Sequence, residues 1–334
     1  MVQCISGIAG LYRTSRILWT LLALLALALP FFGSAVAADW NFRICLMAIL
    51  AVSWNLMAGA GLISLGHSGF WGLGSYAAIL SANQLGIPFW WSLLPAMALG
   101  GLVGALLAAI TGRLQGIYFA IATLAMSEAL RVVSVMLPRL SGGSEGVYLK
   151  SGMSPGNLTV NLAAACGALA VALIAWWLSR SRYHFAFRAM RNNEAAAQMF
   201  GIHPVRYRAA IMAVSGAMAS LAGALSTWYG GYLDPAVAFD LHTTINSQIA
   251  PILGGIYTLP GPIVGALAAV GLNEAMRLLV GSVPGASLLV FGMILVICTL
   301  YLPDGVYGAW RRMRRKFTSS TDAANSAVPL KPAA

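Results

Sequence analysis

Apolar segments long enough to cross a bilayer recur along this chain, and that repetition constrains the fold more than any other feature. Read with Gly, Pro and charged residues as punctuation, they fall near 17–37, 42–59, 68–82, 90–111, 116–137, 160–178, 208–231, 244–258, 262–280 and 286–303. A spanning helix takes about 20 apolar residues, so a chain of 334 residues holds about ten spans with no length left for a second domain. Only 9% of its residues are charged and 59% are hydrophobic, against about 25% charged in an ordinary soluble domain. The excess apolar surface has to meet lipid. The expected fold class is all-α: a polytopic transmembrane helical bundle, forming a single membrane domain over 1–316. The remainder, 317–334, begins Thr-Ser-Ser-Thr and buries too little apolar area to order itself; it is expected to be a disordered tail.

The net charge of +11 does not point to nucleic acid, because the basic residues lie in short stretches between apolar runs. Placed on a chain whose N-terminus is cytoplasmic, fourteen fall inside: Arg13, Arg16, Arg113, Arg180, Arg182, Arg188, Arg191, Arg206, Arg208 and the cluster Arg311, Arg312, Arg314, Arg315 and Lys316. Only Arg43, Arg139 and Lys150 fall outside. Such asymmetry sets orientation, and both termini are expected in the cytoplasm. The first run has a rival reading: Arg13 and Arg16, an apolar stretch and Ala35-Val36-Ala37 also resemble a signal peptide with its cleavage site, although the core is long for one.

Cys4, Cys45, Cys166 and Cys298 are isolated, and His67, His184, His203 and His242 are scattered, so neither a disulfide frame nor a metal site is expected. Glycines four apart, such as Gly100/Gly104 and Gly261/Gly265, allow close helix approach in a membrane.

The longest polar stretch between spans, 180–208, contains a small punctuated helix. Asn193 suits the N-cap, Glu194 the first turn, Gly201 the C-terminal cap, and Pro204 stops continuation. Two turns are unstable alone in water, so something must hold them. Met199, Phe200 and Ile202 supply an apolar edge, and Arg188 and Arg191 a basic rim. That combination suits a groove on a partner; a helix lying on lipid headgroups is the other reading.

Several segments resemble the branched-chain amino acid permease family of ATP-binding-cassette (ABC) transporters, on its LivM-like side. They are Asn55–Gly59 with Gly61-Leu62-Ile63-Ser64-Leu65-Gly66-His67, then 116–124, Gly142-Gly143-Ser144-Glu145-Gly146, Arg188–Glu194 and 254–262, spread in order over roughly 45–310. The string Glu194-Ala195-Ala196 followed by Gly201 resembles the EAA loop of such importers. The resemblance implies a type II ABC importer-like permease in the bacterial inner membrane, paired with a homologous second permease, two cytoplasmic ATPase subunits and a periplasmic substrate-binding protein. In that family the EAA segment couples to the ATPase, which assigns Arg188, Arg191, Glu194, Ala195, Ala196 and Gly201 to coupling. The chain itself is expected to be no enzyme and to bind no cofactor, ATP being used by the partners; it has no G-x-x-x-x-G-K-[ST] phosphate loop. Pro251, just ahead of Gly254-Gly255, departs from the aliphatic run expected there.

Two glycine-rich breaks, 59–72 and 254–265, interrupt the apolar runs, with Gly61, Gly66, His67, Gly254 and Gly255 as candidate pathway or gate residues. Tight interhelical turns would look the same. Two charge pairs three apart, Glu128/Arg131 and Glu274/Arg277, fall within spans and are expected to pair and turn inward. Glu128 and Glu274 are therefore further pathway candidates, beside a purely structural reading. The similar neighbours of the two pairs hint at an internal repeat. The outer loop 138–161, with Glu145 and Lys150, and the acids Asp234 and Asp240, either meet a binding protein or are simply solvated. The alternative function is a stand-alone secondary transporter or channel for small polar solutes. A membrane-embedded enzyme lacks any HExxH or GxSxG signature here.

Overall fold

The computed structural model describes residues 26–31, 34–112, 114–150 and 152–280, with 289, 292, 293, 296, 300, 301 and 305–308 beyond them. Most of the first and last expected runs lie outside the described residues. So do Cys4, Cys298, Arg13, Arg16, Arg113, the C-terminal basic cluster and the tail.

In chain order the elements are α1 (Ala35–Gly59), α2 (His67–Leu85), α3 (Phe89–Thr111), α4 (Ile117–Met136), α5 (Pro138–Ser141), a 3₁₀ turn (Gly143–Glu145), β1 (Val147–Tyr148), α6 (Asn157–Arg180), α7 (Arg182–Asn192), α8 (Glu194–Met199), α9 (Pro204–Gly230), β2 (Tyr232–Leu233), α10 (Pro235–Ala238), α11 (Leu241–Gly254) and α12 (Gly261–Val280). Among the described residues, six helices are long and apolar enough to cross a membrane: α1, α3, α4, α6, α9 and α12. The chain is a multi-pass helical membrane protein. Its one departure from all-helical structure among the described residues is the antiparallel pair β1–β2, with Val147 opposite Leu233 and Tyr148 opposite Tyr232.

Two expected boundaries are corrected. No break separates 37 from 42: α1 is one helix of 25 residues, and Ser34 caps it by accepting a hydrogen bond from the Ala37 amide. Ala35-Val36-Ala37 form its first turn. Asp39 and Arg43, which read as punctuation, pair one turn apart at 2.8 Å and so do not end the helix. The run at 244–258 is helical only to Gly254. At 14 residues α11 is about 21 Å long, too short to cross a hydrocarbon layer of about 30 Å.

The chain forms two compact units, one ending at Gln248 and one beginning at Ile249. In the first, α9 is a central helix, and small residues let its backbone approach its neighbours. A Cβ on Gly74 of α2 would strike the Ser220 carbonyl, one on Gly104 of α3 the Met212 carbonyl, and one on Gly223 the Trp71 carbonyl. Close approach of this kind replaces the hydrophobic drive that lipid removes. Polar side chains close the remaining gaps: Ser220 Oγ donates to the Phe70 carbonyl at 2.7 Å and Trp228 Nε1 to Ser92 Oγ at 2.9 Å. In contrast, α3 and α6 present largely apolar outer surfaces between their ends, including Trp91, Leu102, Leu106 and Ile110 on α3 and Leu173 and Trp177 on α6. The Arg180 guanidinium sits 4.3 Å over the Trp176 ring at the end of α6, an arrangement suited to a membrane–water boundary.

Contacts between loops show that the helices of the first unit alternate between two faces. The α1–α2, α3–α4 and α6–α9 connections meet at one face, where Gly61 touches Arg191 and Gln115 touches Glu194. The ends of α2, α4 and α9 meet at the other, where Asn83 bonds Tyr148 and Lys150, and Tyr232 OH donates to the Glu145 carbonyl at 3.0 Å. Arg180, Arg182, Arg188, Arg191, Arg206 and Arg208 all belong to the first face.

Within the second unit, glycines set the turn from α11 to α12. A Cβ on Gly254 would collide with the Gly261 carbonyl, and one on Gly265 with the Ala250 carbonyl. Gly255 has φ +125° and Tyr257 φ +64°, and the Thr258 hydroxyl closes the turn by donating to the Gly255 carbonyl at 2.7 Å.

Candidate functional site

The short helix is the most completely built feature of the α6–α9 connection. Asn193 has extended backbone, and its Oδ1 accepts from the Ala196 amide at 3.0 Å. At the other end Gly201 takes φ +78°. The Gly201 amide bonds the Gln198 carbonyl at 2.9 Å, and the Ile202 amide bonds the Ala197 carbonyl at 3.2 Å. That is a Schellman closure, with glycine where the left-handed residue falls. Nothing stands within 4 Å of a Cβ built on Gly201, so its requirement is conformational. Both expected caps are present, and Pro204 opens α9 as its first residue.

An ion pair that the sequence did not disclose holds this helix in place. Arg208, one turn into α9, sends Nη2 to Glu194 Oε2 at 2.7 Å and Nη1 to the Gly112 carbonyl at 2.6 Å. Gln115 Nε2 donates to the same Glu194 oxygen at 2.7 Å. The two charged side chains are only 8% and 17% exposed, so solvent screens them little. Glu194 therefore does more than complement the helix dipole. It ties α8 to α9 and to the α3–α4 turn. Ala197 is buried and Ile202 packs beside it in the same apolar cluster.

The expected apolar edge is divided. Ile202 turns inward, whereas Met199 and Phe200 stand 89% and 86% exposed. Ala195 is exposed, Ala196 half-buried and Arg188 exposed. Arg191 lies against the first break: a Cβ on Gly61, whose φ is +82°, would sit 3.3 Å from the Arg191 Cα. His184, on α7, is held below its usual pKa by burial and by the neighbouring Arg188 and Arg191.

Only residues 60–66 of the first break are irregular, since α2 starts at His67. Several polar groups of its buried part are satisfied inside the protein, as backbone shielded from water requires. Trp54 Nε1 donates to the Ser64 carbonyl at 2.9 Å and the Leu65 amide to Thr123 Oγ1 at 3.0 Å. A Cβ on Gly66 would strike the Thr123 carbonyl. Beyond it runs a buried polar seam: Thr244 Oγ1 donates to Ser68 Oγ at 2.9 Å, and Ser68 and Ser127 hydroxyls share a bond at 2.9 Å. His67 is fully buried, with Nε2 3.4 Å from Ser215 Oγ and Nδ1 bonded to none of the described residues. This structure thus places Gly66 and His67 in packed interior and Gly61 at the surface beside Arg191.

The two carboxylates predicted to turn inward do so unequally. Arg131 Nε bonds Glu128 Oε2 at 2.8 Å, but on the outer surface of α4, with side chains 40% and 51% exposed. The reason is that the inward stripe of α4 is already occupied by Phe119, Ala120, Thr123 and Ser127. Glu274 is 17% exposed and bonds Arg277, which is 67% exposed. The opposite face is ordered by the other acids: Asp234 caps α10 through the Val237 amide, Asp240 accepts from the His242 amide, and burial together with Asp234 raises the Tyr232 pKa.

A helical bundle with glycine-mediated crossings, a buried polar seam and a clamped two-turn helix between spans belongs to the class of polytopic membrane permeases. A model of the family "Branched-chain amino acid transport system / permease component" matches residues 36–299. The chain belongs to that family. It is 26% identical over 315 residues to the high-affinity branched-chain amino acid transport system permease protein LivM of Escherichia coli K12, covering 85% of this chain and 73% of the relative. It is 25% identical over 289 residues to LivH of the same organism, covering 78% and 91%. A probable branched-chain amino acid transport permease protein LivH of Methanocaldococcus jannaschii is 28% identical over 273 residues, covering 74% and 84%.

Proposed function

We propose that this permease subunit works in an ABC importer for branched-chain or related amino acids, with a type II-like bundle of about ten spans. Its partners are a homologous second permease, two cytoplasmic ATPase subunits and a periplasmic substrate-binding protein. It sits in the bacterial inner membrane with both termini and the α7–α8 face in the cytoplasm. The strong bias of arginines to that face supports the orientation. The substrate class follows the relatives' names, and the absent phosphate loop assigns ATP hydrolysis to other chains.

One observation carries the coupling role: a two-turn helix, clamped from behind by Glu194 and Arg208, holds Met199 and Phe200 out in solvent. Large apolar side chains on a rigid support are anchors for a groove. Arg188 and Arg191 flank them. Force on α8 passes through Arg208 into α9 and through Gln115 into the α3–α4 turn. The contact of Arg191 with Gly61 gives a third route, into the buried break ahead of α2. Gly254 and Gly255, at the second break, and the carboxylates Glu128 and Glu274 remain pathway or gate assignments in this reading.

The test is site-directed cross-linking from Met199→Cys and Phe200→Cys in the assembled complex. Adducts with a nucleotide-binding subunit, together with ATP-driven uptake of leucine, isoleucine or valine in the cysteine-free parent, are expected. Adducts with lipid or with nothing, while ATP-driven uptake persists, would remove the coupling role.

A further inference from the structure

We infer that the outer face of α4 is the surface on which the homologous second permease packs, with the Glu128–Arg131 pair in a polar seam between the two chains. The inference rests on the importer reading above and names the surface its partner uses.

The argument starts from what α4 leaves uncovered. Its buried stripe, Phe119, Ala120, Thr123 and Ser127, is spent on α2 and the break before it. Ile121, Ala125, Glu128, Ala129 and Val132 are exposed. Glu128 lies eleven residues into a helix of 20, about 16 Å from its start and near mid-depth of the bilayer. An ion pair there is costly against lipid tails, and charges at such depth face protein or water.

Arg131 does not escape by reaching to the headgroups. Its Nε is held on Glu128, one turn back toward the helix N-terminus, at 2.8 Å; reaching the other way would strand the carboxylate. The second, independent observation is the pair Ala125 and Ala129, small residues four apart on the same exposed face. That spacing lets two membrane helices approach closely. The surfaces of α3 and α6 offer the contrast, since they expose many large apolar residues and carry no charge at mid-depth. Lipid suits those faces and does not suit this one. A permease of the same family suits it, because relatives of this chain in a single organism include both LivM and LivH.

The experiment uses the whole complex in lipid nanodiscs, with the native cysteines replaced and a nitroxide spin label at Ala125→Cys or Ala129→Cys. Labels at Leu102→Cys on α3 and Leu173→Cys on α6 serve as lipid references. Relaxation by oxygen at 125 and 129 is expected well below that at 102 and 173, and a short bifunctional maleimide at 129 is expected to capture the companion permease. Oxygen relaxation at 125 equal to that at 102 would put α4 in lipid and overturn the inference. So would exclusive capture of a second copy of this chain, or strong relaxation by a water-soluble nickel chelate with no cross-link. Glu128→Gln with Arg131→Gln is expected to loosen the companion on size-exclusion chromatography, and the exchange Glu128→Arg with Arg131→Glu to restore it. ATP-driven uptake measured in the same preparations separates the two readings. Uptake with α4 in lipid removes only this inference, whereas a chain that never associates with ATPase or companion removes both.

Discussion

Replacing Arg208 by Met leaves Glu194 with the bond from Gln115 as its one side-chain partner among the described residues and removes the guanidinium that donates to the Gly112 carbonyl. Breaking a buried ion pair by removing one partner costs about 3–5 kcal/mol. Glu194 and Arg208 are 17% and 8% exposed, and Gln115 still offers one bond, so about 2–3 kcal/mol is expected here. The six residues of α8 have no stability of their own to absorb that loss. Its opening equilibrium should rise about 30- to 150-fold, at tenfold per 1.4 kcal/mol. Hydrogen–deuterium exchange of peptides covering 194–203, read by mass spectrometry in nanodiscs, measures this directly. Protection should fall by that factor at the Ala197, Gly201 and Ile202 amides while α9 keeps its protection. Transport should fall while ATP hydrolysis persists, because the helix would still dock but transmit little. Arg208→Lys should recover only part of that protection, since it keeps the charge opposite Glu194 but not the guanidinium's rigid two-nitrogen fork to Glu194 and Gly112. Unchanged protection of 194–203 in a folded Arg208→Met protein would refute the clamp.

Three further outcomes follow from the same geometry. Asn193→Ala should destabilise α8 by about 1 kcal/mol through loss of the bond to the Ala196 amide, read by the same exchange experiment. Gly66→Ala and Gly104→Ala should each lower the unfolding temperature, at a cost of about 1–3 kcal/mol, because a Cβ there meets the Thr123 and Met212 carbonyls; Gly59→Ala, with nothing within 4 Å, should be neutral or slightly stabilising. His184 should titrate below 6.5 by NMR, since its folded pKa is lowered. The folded protein then binds the proton less readily than the unfolded one, so acidification below about 6.5 should weaken the α7 region and higher pH should not.

The punctuation of α8 was legible from the sequence because caps are local. Asn193, Gly201 and Pro204 act on amides and carbonyls within a few residues, and their chemistry needs no distant partner. Arg208 was legible only as a positive charge at the end of the polar stretch between spans. Its pairing with Glu194 spans fourteen residues and a reversal of chain direction, and Gln115 comes from a different connection altogether. The same limit explains Glu128. Spacing showed that Arg131 would reach it, but which side of α4 is already filled depends on α2 and on the break at 60–66.

Length, apolar runs and arginine placement determined by themselves that this chain is a multi-pass bundle, and local caps that a two-turn helix lies in its basic connection. Transfer of apolar area and charge into lipid depends on composition alone, summed over each segment. Tertiary structure decided where α1 begins, that α11 stops short at Gly254, what clamps Glu194, and that one charged pair faces out of the chain. Those outcomes turn on which backbones approach within van der Waals distance, and that is a property of packed neighbours rather than of any one segment.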